Sequence, residues 1–269
     1  MHATCGTLIP VTGVGDTTDD EATGRWAADD SGYWFTTSDG QYVGLDLGDL
    51  SLRASNEVPL GLRSREMHAD FLHWMEQCLI ADGASDADVR LQGSSVNWFS
   101  GRHKEVPWTR PTAFQEMRKR REGRNLPLQR PHEVAQALNL LNSRWPSSAL
   151  GPRRPFFDLM WRVKIDPAPS DIDVQVSSGV YWTRAVALAE EHGVPVEDLQ
   201  VENPGYGFLV DDVALEVAPT LQGWAGQWTS RLNRPVVLKI FGPSGPPHLS
   251  AGSSMSSHFK ADDWKLRVP

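Results

Sequence analysis

The sequence predicts an α/β (α+β) fold in which a mixed β-sheet is flanked by helices and preceded by a β-rich N-terminal extension. Two patterns carry this expectation. Short apolar runs at residues 89–91, 171–176 and 236–241 read as half-buried or buried strands. Apolar residues at 3- and 4-residue steps recur over 64–80, 131–145, 181–192 and 221–232, as on one face of a helix. Composition agrees, because 40% hydrophobic and 22% charged residues make an ordinary globular balance.

The elements follow in order. Residues 33–45 hold two aromatic or β-branched runs around Ser38-Asp39-Gly40 and read as a hairpin. They belong to an extension over residues 1–61, which is acidic and rich in Gly and Thr. The main domain is expected over 62–269. Its first helix places Met67, Phe71, Met75, Cys78 and Leu79 on one face, with Ser64 as N-cap and Gly83 ending it. A second opens at Pro111 after Thr109, and a third sets Val134, Leu138, Leu141 and Trp145 on one stripe. The apolar residues of 160–165 alternate with basic ones until Pro167 and Pro169 stop the run. A helix over 181–192 ends at Gly193, and the helix marked by Leu221, Trp224, Trp228 and Leu232 has Thr220 as its candidate cap. Residues 208–210 are a short strand candidate, and 242–257 read as loop.

Several function classes drop out. Mean hydropathy is -0.39 and no apolar run is long enough to cross a bilayer. Residues 1–15 lack the basic start and apolar stretch of a secretion signal, and Cys5 and Cys78 stand alone, so a reduced cytoplasmic setting is expected. Neither the cysteines nor the scattered histidines (His103, His132, His192, His248, His258) have zinc-ligand spacing. No GxSxG elbow and no GxxxxGK[ST] loop occurs. The net charge of -8 is uneven: residues 102–164 hold fourteen basic and five acidic residues, a net of +9 against -17 elsewhere. Such a segment fits a local anionic partner, or else a solvated helix face.

Two motifs carry chemistry. In Asp171-Ile172-Asp173, residues two apart on a strand project both carboxylates to one face. Two such charges about 4 Å apart repel by roughly 1 kcal/mol in water and about 4 kcal/mol near a protein surface, a cost that a divalent cation removes. Gly93-Ser94-Ser95 follows a strand, where glycine lets backbone approach a ligand and backbone N–H groups with serine hydroxyls suit a phosphate. Either motif alone is as well explained by exposed aspartates or by an ordinary capped turn.

Together, Leu91-Gln92-Gly93-Ser94-Ser95 and Ser170-Asp171-Ile172-Asp173-Val174 resemble the polymerase-β-like nucleotidyltransferase superfamily. The resemblance implies that Gly93, Ser94 and Ser95 grip nucleotide phosphates, that Asp171 and Asp173 bind Mg²⁺ or Mn²⁺, and that the donor is an NTP such as ATP. It implies an acceptor hydroxyl or phosphate on a small molecule, a nucleotide or an RNA end. This sequence departs from the family in two places. A basic insertion, about 102–166, separates the motifs where a short helix is usual. The third carboxylate usual on a later strand is also missing, since 236–241 offers Lys239; Asp212 is favoured, with Asp211 and Glu202 as alternatives. Within the insertion Arg102, Lys104 and Arg110, with Ser100 and His103, are candidates to surround a triphosphate. Trp98, Phe99 or Trp108 would stack on a base or pack in the core, and Arg118-Lys119-Arg120-Arg121 would meet an RNA backbone or cap a solvated helix end. Two other readings remain: a regulatory nucleotide-binding pseudoenzyme of the same fold, and a glycosyltransferase that holds Mn²⁺ and a nucleotide sugar through Asp171 and Asp173.

Overall fold

A computed structural model of the chain describes residues 24–101, 104–105, 107–144, 154–200, 207–245 and 263–267. Its centre is a four-stranded mixed sheet. Strand β3 (Asp88–Gln92) lies antiparallel to β4 (Ile172–Ser177), which runs parallel to β5 (Val236–Phe241). On the other side of β3, antiparallel, is β6 (Trp264–Arg267), giving the order β5-β4-β3-β6. The remaining strands, β1 (Arg25–Ala28) and β2 (Trp34–Thr36), form a separate hairpin.

The alternation of each central strand sorts its two faces. Val89 and Leu91, Ile172, Val174 and Val176, and Val236, Leu238 and Ile240 point to one side and are buried. Three helices cover that side. Helix α3 (Arg65–Ala81) contributes Phe71, Met75 and Leu79, and its N-cap Ser64 accepts from the Met67 N–H. Helix α8 (Gly179–His192) contributes Tyr181, Ala185 and Ala189, and stops at Gly193 in the left-handed region. Helix α10 (Pro219–Leu232) contributes Trp224 and Trp228, whose rings lie 4.7 and 5.2 Å from Phe71. The opposite face is polar and carries Asp88, Arg90 and Gln92 on β3 with Asp173, Gln175 and Ser177 on β4.

Five sequence expectations change. Residues 37–43 are helix α1 rather than the return strand of a hairpin. Thr36 and Asp39 form a capping box, so Ser-Asp-Gly opens a helix instead of turning a strand. With α2 (Leu47–Ala54), the described part of the extension is more helical than the expected β-rich piece. Met160 to Ile165 is a helical turn, with α7 at Leu159–Arg162. Helix α10 starts at Pro219 with no side-chain cap, so Thr220 does not cap it. The expected strand at 208–210 reduces to two isolated bridges, Phe208 with Phe241 and Leu209 with Gln200.

The extension and the basic segment share a second core. Trp26, Phe35, Leu50 and Leu60 pack with Met117 of α5 (Arg110–Glu122), Leu141 of α6 (Pro131–Arg144), and Phe156, Phe157 and Ile165. Arg144 reaches across to the buried Asp39, donating from Nε at 2.6 Å. The basic segment leaves and rejoins the sheet at one place, where Phe99 and Phe156 form an antiparallel bridge. At the junction of the two cores Arg53 lies buried between the rings of Trp98 and Trp264, at 5.6 and 5.3 Å from their centroids. Burial pulls its guanidinium down to about 10. No helix among the described residues is long and apolar enough to cross a membrane.

Candidate functional site

The β3–β4 register brings the two motifs together. Gln92 lies directly opposite Asp173, and β3 then runs into Gly93 and the one-turn helix α4 (Ser94–Asn97). Gly93 has φ 82° and ψ -164°, a conformation that residues with a Cβ rarely adopt. A Cβ there would lie 2.8 Å from the Oδ2 of Asp173. The glycine is therefore required twice, by the backbone and by the carboxylate that rests against it.

Asp171 is held from both sides. Next to it the Ile172 N–H donates to the Pro235 carbonyl at 2.8 Å. Before it, Ser170 has every backbone and side-chain polar group engaged. Its N–H donates to Asp158 Oδ1 at 2.8 Å, its hydroxyl accepts from the Asp158 N–H at 2.8 Å, and its carbonyl accepts from Arg234. Asp158 and Arg234 pair through both oxygens, at 2.8 and 2.7 Å, and both are largely buried. The neighbouring Phe157 N–H donates to the Trp98 carbonyl at 2.8 Å, which ties this network to the end of α4.

Asp171 and Ser94 line one cleft with Ser100, Lys104, Arg120 and Arg124. Asp166, on the same wall, fixes the two arginines. Arg124 donates to its Oδ1 at 2.6 Å and Arg120 to its Oδ2, while Arg120 also pairs with Glu116 at 3.4 Å. Three cations thus face two carboxylates, Asp166 and Asp171, across a polar opening. These are hard oxygen donors and phosphate-matching donors within one site.

The site residues expected from sequence divide into groups. Ser94, Asp171 and Lys104 line one cleft, and Gly93, next to Ser94, has Asp173 against it. Ser95 is fully buried and structural: its hydroxyl donates to the Gln92 carbonyl at 3.3 Å and its own carbonyl accepts from Leu60. Arg110 is exposed at the first turn of α5 and does not line the cleft. Arg102 and His103, like Glu202, lie outside the described residues. Asp212 sits exposed in the first turn of α9 (Asp211–Val217), next to Asp211, which pairs with Lys239 at 3.1 Å. That helix starts where Leu209 bonds Ile240, at the C-terminal end of β5. Because β4 and β5 are parallel, this end lies beside Ser177, about 13 Å along the strand from Asp173. Asp212 is therefore not gathered with the other two aspartates. Trp98 and Phe99 are buried, with Trp98 stacked on Trp26 at 6.4 Å, so they pack the second core instead of offering a face to a base.

Sequence reasoning missed Arg124 and Asp166 as site residues and took Arg120 for part of an outward-facing run. The 120/124 spacing, one helical turn, was the available signal. Asp166 gave none. Among the described residues no three or more of His, Cys, Asp and Glu cluster as a metal site, so an ion at Asp171 and Asp173 would complete its shell with substrate oxygens and water, as Mg²⁺ commonly does. Comparison of the chain with protein-family models, with curated proteins and with solved structures finds no match.

Proposed function

We propose that the chain transfers a nucleoside monophosphate from an NTP to an acceptor hydroxyl or phosphate, with Mg²⁺ or Mn²⁺, in the cytoplasm. The acceptor class spans a small molecule, a second nucleotide and an RNA end. The observation that carries the reading is the contact between the Gly-Ser turn and Asp173, with Asp171 and Ser94 on one cleft wall. Two motifs that the basic segment separates in sequence meet in space, so closely that a Cβ on Gly93 would lie 2.8 Å from Asp173 Oδ2.

Each group then has a role. Asp171 and Asp173 hold the divalent ion, which when bound offsets charge on the phosphates and on the leaving pyrophosphate. Gly93 keeps the turn free of a side chain, so phosphate oxygens approach the backbone. The Ser94 hydroxyl donates to them. Lys104, Arg120 and Arg124 neutralise the phosphate chain, and Asp166 holds the two arginines in position before substrate arrives. The acceptor oxygen attacks the α-phosphorus, the bond to the bridging oxygen breaks, and pyrophosphate leaves.

Pyrophosphate release from each of the four NTPs with Mg²⁺ or Mn²⁺ tests this, given a panel of small-molecule, nucleotide and RNA acceptors. Release is expected from the native chain and should vanish in Asp171→Asn/Asp173→Asn with the fold intact by circular dichroism. Equal release from that variant would refute the site.

A second reading has its own observation. Val237 stands beside Asp173 in the β4–β5 register, and Lys239 beside Gln175, where a third carboxylate would be expected. A regulatory pseudoenzyme would bind the NTP through the same residues without releasing pyrophosphate.

A further inference from the structure

The polar sheet face beside Asp173 contains buried groups that the phosphate site does not use. Gln92 and Gln175 are 9% and 7% exposed, and Ser177 3%. Gln175 Nε2 donates to Gln92 Oε1 at 2.7 Å. That bond leaves Gln92 Nε2, Gln175 Oε1 and the Ser177 hydroxyl buried and without partners. All three side chains lie on the face that bears Asp173. Gln92 is opposite Asp173 in register, and Gln175 and Ser177 follow it at two-residue steps. Exchanging O and N in both amides leaves the same pattern, one free amide N–H beside one free carbonyl.

Buried polar atoms normally find partners, and three orphans in a row on one face call for a cause. An apolar pair would fill these positions at no such cost. The free groups are matched by a ligand edge with an acceptor next to a donor. A phosphate offers acceptors only and would leave the Gln175 carbonyl unmatched. Nucleobases offer both on their Watson–Crick edges, where proteins read unpaired bases. We propose that the Gln92–Gln175 amide pair, with Ser177 beyond it, is the nucleobase subsite of the NTP held at Asp171 and Asp173. The inference rests on the NTP reading above. These atoms are closed to solvent in the ligand-free fold and lie off the cleft wall that Asp171 and Ser94 share, so binding of the base opens them.

The test compares MgATP, MgCTP, MgGTP and MgUTP with magnesium tripolyphosphate, which has the phosphates and no base, by isothermal titration calorimetry. The native chain should bind its preferred NTP more tightly than tripolyphosphate. Gln92→Met/Gln175→Met should unfold at the same temperature or higher without ligand. It should lose about tenfold or more in NTP affinity, as for one or two hydrogen bonds, and keep tripolyphosphate affinity. Ser177→Ala, which removes a hydroxyl bonded to nothing, gives a smaller loss in the same sense and decides the matter if the double variant fails to fold. Native binding of NTP and tripolyphosphate with equal affinity, or NTP affinity unchanged in the variants, would overturn the subsite and leave the phosphate site standing. Binding of neither ligand by the native chain would overturn both readings.

Discussion

Replacing Gly93 with alanine tests the meeting of the two motifs without touching either aspartate. The native φ and ψ, 82° and -164°, fall in a region that is essentially glycine's alone, and holding another residue there costs about 1–3 kcal/mol. For a chain of this length each kcal/mol lowers the unfolding temperature by roughly 2–4 °C, so a fall of ~2–12 °C is expected. The new methyl would also stand 2.8 Å from Asp173 Oδ2, closer than the atoms can pack, and the carboxylate must swing away. Gly193→Ala is the matched control. Gly193 has φ 64°, and a methyl there would meet nothing within 4 Å, so it carries only a left-handed penalty of about 1–2 kcal/mol. Differential scanning fluorimetry of both variants, with and without Mn²⁺, separates the two effects. Gly93→Ala should lose the Mn²⁺-dependent shift and pyrophosphate release, whereas Gly193→Ala should keep both. If the two variants behave alike in stability and in Mn²⁺ response, Asp173 does not rest against this turn and the geometric argument fails.

Other expectations follow from single contacts. Asp158→Ala strands the Arg234 guanidinium in a buried position and should destabilise the fold by about 3–5 kcal/mol in urea titration, whereas Arg231→Ala, losing an exposed pair with Asp70, should cost about 1 kcal/mol or less. His68 is buried, with Nδ1–H donating to the Glu57 carbonyl and Nε2 without a partner; burial lowers its pKa, so the folded chain disfavours the charged ring. Its contribution is complete above the unfolded value of about 6.5 and is lost as pH falls through the lower folded value. Thermal unfolding of His68→Gln should accordingly show a shallower decline below about pH 6.5 than the native chain. Arg124→Ala should weaken NTP binding in calorimetry by about tenfold, as for one charge-assisted bond, without a matching loss of stability, because Arg124 is partly exposed.

What the sequence discloses depends on how local the cause is. Helices α3 and α5 are legible because Ser64 and Thr109 announce their starts, and apolar spacing marks the face of α3. Gly193 announces the end of α8 in the same way. Helix α1 is misread because Gly40 after Asp39 mimics a hairpin turn, while the capping box that decides the matter spans Thr36 to Asp39. Strand β6 is four residues long and owes its existence to pairing with β3, some 170 positions earlier, so no local pattern marks it. At the candidate site, the Gly-Ser turn and the two aspartates are legible as motifs. Their contact depends on the β3–β4 register, and the turning inward of Arg120 and Arg124 depends on Asp166, 42 residues from Arg124. The place of Asp212 depends on the parallel direction of β5, which a sequence does not print.

The second core has a consequence for how this molecule can vary. Residues 24–60 and the basic segment interlock through Phe35, Leu50, Met117 and Phe156, while the sheet packs with α3, α8 and α10 in the other core. The helix that carries Arg120 therefore stands on a foundation laid by the N-terminal stretch. A chimera that borrows the basic segment from another protein would need the matching N-terminal stretch as well. Substitutions at Phe35, far from the cleft in sequence, would be felt as a misplaced arginine before they were felt as a lost strand.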